Sequence, residues 1–331
     1  MSIGLCRPGI IARLLVTTPT STRDFLEYPM SADTEDMPMS AQLDGLTLLH
    51  QGKVRDIYDI DEQSLLLVTT DRVSAFDVIL SQQLESKGRV LNSLSKFWFD
   101  QTAQILPNHV IETDVSKMPA AVARHHELLA GRSTLVRRAV PVLAEFIVRG
   151  YVAGSGWSDY QKTGCISGHQ LPSGLLQCAQ LPEPLLTPST KAPKGEHDEA
   201  ISIEQLAHIV GHDIAVQAGD AALALYTHAA KLALSKGIIL ADTKIEFGLI
   251  EGELSVIDEV FTPDSSRYWS AAHYKPGRDQ DSFDKQIIRN ALLETDWNKQ
   301  PPAPILPEAV IEQARARYFE IHRILTGSEP V

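Results

Sequence analysis

Residues 238–261 read IILADTKIEFGLIEGELSVIDEVF, and the reading of this stretch decides the fold. Side chains alternate faces along a strand. Asp242, Lys244 and Glu246 therefore share one face, while Thr243, Ile245, Phe247 and Leu249 share the other. The apolar face predicts a half-buried strand. Glu251-Gly252-Glu253 offers a turn, so the stretch is expected to form a hairpin. Its register decides where Asp258 falls. A two-residue loop pairs Ile250 with Glu253 and sets Asp258 opposite Ile245, on the apolar face. A three-residue loop pairs Ile250 with Leu254 and sets Asp258 opposite Glu246. Because register follows the apolar pattern, the three-residue loop is expected. Facing carboxylates repel unless neutralised, and either a divalent cation or Lys244 would do so.

Outward from the hairpin, Leu46–His50, Ile57–Ile60, Leu65–Thr70, Leu135–Val140 and Glu145–Arg149 read as strands. Helical spacing recurs over 88–105, 119–129, 202–210, 219–236, 283–294 and 307–326. Ser202 and Gln205 offer a capping box, and Gly237 a helix stop. Residues 171–200 carry five prolines and predict a long irregular loop of the kind that carries function. Residues 1–42 show no period and are expected to be a disordered tail. Strands that come early and in hairpins, with helices mixed in, indicate an α+β fold rather than a doubly wound sheet.

Composition narrows the function. The net charge of −12 disfavours nucleic acid and anionic membranes, so an anionic ligand would need a local cluster of Lys and Arg. No stretch approaches the roughly 20 apolar residues that span a bilayer. The three cysteines form no CxxC pair, which removes a zinc ribbon and fits a reducing, cytoplasmic setting. The GxxxxGKS/T and GxGxxG phosphate loops, the GxSxG elbow and the HExxH helix are all missing.

Four clusters remain. Gly52-Lys53-Val54-Arg55-Asp56 puts two cations beside a glycine that lets the backbone approach a ligand, though two solvated cations read equally well. Thr70–Asp77 carries Arg72, Ser74 and Asp77 directly after an apolar strand; a plain capped turn is the alternative. Glu145 and Arg149 share a strand face and lead into Gly154-Ser155-Gly156, a possible phosphate clamp built on a flexible turn. Asp242, Lys244, Glu246 and Asp258 offer hard oxygens for Mg²⁺ and a cation for phosphates, or else a solvated ladder of ion pairs. Arg267 is a further candidate anion ligand.

Together these segments resemble one family. GKVRDIY, TTDRVSAFDV, the E-x-x-x-R-x-x-x-x-G-S run of 145–155, LLTPSTKAPKGEHDE, ADTKIEFG and DEVFTPDSSRYW occur in the order seen in SAICAR synthases, from about residue 43 to 326. The resemblance implies an N-terminal lobe over 43–139, similar to the nucleotide-binding lobes of kinases and ATP-grasp enzymes. It implies a larger α+β lobe over 140–326 that carries the C-terminal helices, a cleft between the lobes, and short tails at 1–42 and 327–331. It further implies a ligase that uses ATP and Mg²⁺ to join L-aspartate to carboxyaminoimidazole ribotide; a monomer is expected rather than a large oligomer.

Carried over by residue, the resemblance assigns the nucleotide to Gly52, Lys53, Arg55, Lys244 and Glu246. Magnesium goes to Glu246 and Asp258, and the reacting centre to Lys244 and Asp242. Arg72, Ser74, Asp77, Glu145, Arg149, Ser155 and Arg267 are expected to hold substrate. Lys191, with Ser189 and Thr190, is expected to meet aspartate. One departure stands out: where the family often reads HDEN, this chain has His197-Asp198-Glu199-Ala200. A catalytically silent relative, or a small-molecule kinase with a similar ATP lobe, is the competing reading. A silent relative would be expected to lose Lys244, Glu246 or Asp258, and all three are present.

Overall fold

The computed structural model describes residues 43–191 and 198–330. The tail expected over 1–42, and loop residues 192–197, lie outside the described residues.

Among the described residues the chain builds two large antiparallel sheets and two two-stranded ones. In the first, the spatial order is Thr47–Gln51, Arg55–Asp59, Ser64–Thr69, Ser133–Arg137 and Val110–Glu112. One face buries Tyr58, Leu66, Val68 and Leu135 against Val115, Met118, Val122 and Leu129. Helix Lys87–Thr102 packs on this sheet through the Ser64–Thr69 strand, and also on the C-terminal helix Glu308–Thr326. Its Val90, Leu91, Leu94 and Trp98 join the larger core of the molecule, as do Val73, Ala75, Leu80 and Leu84. Residues 73–99 thus tie the first sheet to the second.

The second sheet is built on a 13-residue central strand, Ile238–Ile250. Its first half lies between Ala144–Tyr151 and Ser266–Ser270. Its second half lies between Glu253–Ile257 and Val140–Pro141. Gln180–Leu186 forms the outer edge. Both faces are covered, so nearly every residue of the central strand is buried. Helix His212–Ser235 lays Ala215, Ala218, Ala222, Ala229 and Ala233 against the sheet. Small residues allow this close approach. At Gly219 an added Cβ would stand 3.0 Å from Leu186 Cδ2.

Several expectations need correction. The hairpin takes the two-residue loop: Ile250 pairs with Glu253 and Glu246 with Ile257. Glu251 and Gly252 both have positive φ, as a tight primed turn requires. Register selection fails here because Leu254, Ser255, Val256 and Ile257 are all buried, so neither face is privileged. Asp258 lies beyond the strand at φ 64° and does not follow its alternation. The turn expected at 154–156 is the start of a helix, Gly154–Thr163. The prolines of 171–200 do not prevent a strand at Gln180–Leu186, which tolerates Pro182 and Pro184 because it is an edge. The helix expected from 219 begins at His212. The Ser202–Gln205 capping box forms as read.

Candidate active site

The antiparallel register sets Asp242 opposite Arg149 on one neighbour and opposite Arg267 on the other. Asp242 is buried, and its Oδ2 accepts from Arg149 Nη1 at 3.2 Å and from Arg267 Nη1. Arg149 also donates Nε to Thr187 Oγ1 at 3.0 Å and Nη2 to Ser155 Oγ at 3.1 Å. Burial pushes the Arg149 pKa down against the pull of Asp242, whereas Asp242 holds that of Arg267 up. Helix Gly154–Thr163 begins against this pair. A Cβ on Gly154 would lie 2.2 Å from Arg267 Nη2, and Gly154 has φ +56°, so glycine is required twice over. Two guanidiniums, a serine hydroxyl and a helix N-terminus thus meet around one carboxylate.

Two residues along the strand the chemistry changes. Lys244 donates to Glu145 Oε1 at 2.6 Å and to Glu246 Oε1 at 2.8 Å. Lys191 donates to the other Glu246 oxygen, and Ser189 Oγ to Glu145 Oε2 at 3.1 Å. Burial raises the Glu145 pKa against Lys244. Burial alone would also raise that of Glu246, but Lys244 and Lys191 hold it far below the usual carboxylate range. Burial alone would lower that of Lys244, and Glu246 and Glu145 reverse it. Burial alone would lower the Lys191 pKa, but Glu246 and, less strongly, Asp258 raise it.

The first sheet reaches this end through Arg55. Its Nε and Nη2 donate to Asp258 at 2.8 and 2.6 Å, and it also pairs with Glu259 at 3.0 Å. Gly52 makes the approach possible: its N–H bonds the Arg55 carbonyl at 2.8 Å, and a Cβ there would lie 2.7 Å from the same oxygen. Lys53 sits at the exposed rim, paired with Asp77.

Arg72 is buried. It is 1% exposed, forks onto Asp56, and donates to the Gly52 carbonyl at 2.9 Å. Its guanidinium shapes the glycine turn, so we do not carry it forward as a ligand. Ser74 is buried in the strand Arg72–Ala75. Sequence reasoning did not single out Thr187, although it lies within the quoted LLTPSTKAPKGEHDE segment; Glu259 follows Asp258 in DEVFTPDSSRYW and was legible as a further carboxylate of the returning strand.

Comparison with known proteins identifies the family. The model of the SAICAR synthetase family matches residues 48–304. The chain belongs to the SAICAR synthetase family. It is 50% identical over 284 residues to the phosphoribosylaminoimidazole-succinocarboxamide synthase of Maridesulfovibrio salexigens, covering 86% of this chain and 95% of that one. With the synthase of Pelobacter propionicus it shares 53% over 289 residues, 87% of this chain and 97% of the relative. The solved SAICAR synthase of Saccharomyces cerevisiae, complexed with SAICAR, superposes with a TM-score of 0.80 at 41% identity, covering 88% of this chain and 98% of that one. The α+β fold is that of the SAICAR synthases. At the departure from HDEN, Ala200 contributes backbone alone: it bridges Ser189, while Ile201 N–H bonds the Pro188 carbonyl at 3.0 Å. Among the described residues no helix is long and apolar enough to cross a membrane.

Proposed function

We propose that the two ends of the charged row on Ile238–Ile250 divide the substrates of the SAICAR synthase reaction. In that reaction ATP, L-aspartate and carboxyaminoimidazole ribotide give SAICAR, ADP and phosphate. A carboxylate is a poor electrophile because it would have to expel oxide. An oxygen of the ribotide carboxylate attacks the γ-phosphorus, and the bond to ADP breaks. The aspartate amine then attacks the acyl carbon, phosphate departs with one carboxylate oxygen, and the nitrogen gives up its proton. Catalysis of this kind is positioning and charge neutralisation.

In this reading Arg149, Arg267 and Ser155 hold the ribose phosphate, with Asp242 fixing the two guanidinium planes. Glu145 orients Lys244. Lys244, Lys191 and Arg55 face the polyphosphate, and Lys53 with Asp77 forms its outer rim. Glu246 and Asp258 would hold Mg²⁺. They are hard oxygen donors, Asp258 following the Ile257 that pairs with Glu246, and Mg²⁺ is usually bound by one or two carboxylates together with nucleotide phosphates. Among the described residues no group of three or more His, Cys, Asp or Glu could hold a metal without such help. The ion would supply further charge neutralisation at the transferring phosphoryl group.

The observation that supports the division most is the pair of guanidiniums sharing the single carboxylate of Asp242. That end carries an excess of positive charge suited to a phosphate dianion, and planar forks suit its oxygens. ADP release should be measured with ribotide alone, with aspartate alone, and with both. Full-rate release needing both amino acid and ribotide is expected. Stoichiometric turnover on ribotide alone would instead make the chain a kinase.

A further inference from the structure

The central strand Ile238–Ile250 changes face along its length. Ile238 and Leu240 join the large core together with Ile245 and Phe247, while Ile239 and Ala241 pack with Ala153, Cys178 and Trp269 on the other side. Strict alternation forbids this, because an even and an odd position would have to share one face. The pairing with Ser266–Ser270 locates the change. Leu240 pairs with Tyr268 and Asp242 with Arg267, so Ala241 is an extra residue, a β-bulge. In a regular ladder Ala241 would face Arg267, and Asp242 would face Ser266.

The bulge is held from the helix side by one hydroxyl. Tyr226 of helix His212–Ser235 is buried, and its Oη donates to the Leu240 carbonyl at 2.7 Å, with the Ala241 carbonyl at 3.4 Å. These two carbonyls precede Asp242, at the point where the ladder to Ser266–Ser270 is broken. The other buried residues of the helix are alanine, glycine and leucine, so this hydroxyl is the only polar group among them. Burial holds the Tyr226 pKa far above its usual value, and the donor keeps its proton. Gly150 makes room for it: a Cβ there would lie 2.1 Å from Tyr226 Oη and 3.1 Å from Cζ. Gly150 directly follows Arg149, which pairs with Asp242 on the opposite neighbour. One tyrosine therefore lies against the strand of Asp242 and the strand of Arg149, each time at the adjoining residue.

Resting on the division of substrates proposed above, we propose that Tyr226 is a positioning residue for the ribotide phosphate. It acts from the far face of the sheet, through the backbone. Its hydroxyl fixes the bulge, and the bulge sets Asp242 between Arg149 and Arg267, so that the two guanidiniums share one carboxylate. A buried carbonyl that loses its partner is costly, and the chain relaxes to pair it elsewhere. The arrangement at hand is the regular ladder, which parts Asp242 from Arg267 and leaves that guanidinium without its anchor. Bulges beside active sites commonly re-aim a side chain in this way.

The test is a double-variant cycle read in KM values: Tyr226→Phe, Arg267→Ala and the two together. Tyr226→Phe removes the hydroxyl and keeps the ring in the core. It should raise the ribotide KM roughly 5- to 50-fold by misplacing the guanidiniums, with kcat and the KM values for ATP and aspartate within about twofold. On the Arg267→Ala background the same change should add less than about twofold, because the group it positions has gone. Calorimetry of SAICAR, which needs no turnover, should weaken in parallel, with ADP affinity unmoved. Equal losses on both backgrounds, or a fall in melting temperature with every KM unchanged, would make the hydroxyl a stabilising group only and overturn the proposal. Should Tyr226→Phe fail to fold, Gly150→Ala, whose methyl displaces the hydroxyl, goes through the same cycle and decides by the same outcomes. An unchanged ribotide KM in Arg267→Ala alone would defeat the division of substrates itself. A loss there without one in Tyr226→Phe defeats this inference alone.

Discussion

At the Asp242 end of the central strand one carboxylate lies between two guanidiniums; at the Glu246 end two carboxylates alternate with two ammoniums. The first end has cation to spare. The second is balanced, and next to it Arg55 pairs with Asp258 and Glu259, which follow the Ile257 opposite Glu246. Both ends are built from one strand and its neighbours, a few residues apart, so the contrast comes from side-chain choice alone. An excess of planar cations suits a small dianion bound directly. A balanced set with extra carboxylates suits an anion that brings its own metal.

The largest effect should come from breaking the cationic end. Arg149→Ala or Arg267→Ala removes a desolvated guanidinium–phosphate contact worth about 2–4 kcal/mol, so the ribotide KM should rise about 30- to 1,000-fold. The ATP KM should hold still in steady-state assays. If ATP moves and ribotide does not, the ends have been exchanged. Next comes Asp258→Asn. Activity at limiting Mg²⁺ should fall by at least about tenfold and recover partly at high Mg²⁺, with the ribotide KM unaltered. Full activity at limiting Mg²⁺ would remove the metal from Asp258.

How far the sequence disclosed this contrast depends on where tertiary packing took over. The alternation of Asp242, Lys244 and Glu246 was plain because Ile245 and Phe247 demand burial. The Ser202 cap was plain because its chemistry is local. The neighbourhood of Asp258 was not: the strand leading to it is buried on both faces, so alternation carried no information about register. Helix Gly154–Thr163 was hidden by Gly154, Ser155 and Gly156, poor helix formers that are there to admit Arg267 and Arg149. Arg72 looked like a ligand because an isolated sequence cannot show that Asp56 meets it inside the lobe.

Smaller effects sharpen the balanced end. The Glu246 pKa is depressed by Lys244 and Lys191. Its contribution to stability is therefore present above the ordinary carboxylate pKa of about 4.3, and is lost as pH falls through the folded value. The Lys244 pKa is raised, so its contribution is complete below about pH 10.4 and is lost only as pH rises past that. Between about pH 5 and 9 Glu246 and Lys244 should keep their charges, whereas Glu145, its pKa raised by burial, is the first carboxylate of this end to take up a proton as pH falls. Melting temperature followed against pH should be less acid-sensitive in Glu246→Gln than in the wild type, by about 4 °C or less. Parallel curves would show that the group is not coupled as described. Smallest of all should be Lys53→Ala. Lys53 is more than half exposed and pairs with an equally exposed Asp77. Such contacts contribute up to about 1 kcal/mol, so ADP affinity by calorimetry should fall by no more than about fivefold.

The division of the strand is tested most directly by a crystal structure with ADP, Mg²⁺ and ribotide bound together. The ribose phosphate should lie within hydrogen-bonding distance of Arg149, Arg267 and Ser155, and the ADP β-phosphate near Lys244 and Arg55, with the metal on Glu246 or Asp258. Diphosphate at Arg149 and Arg267, with the ribotide beside Glu246, would contradict it.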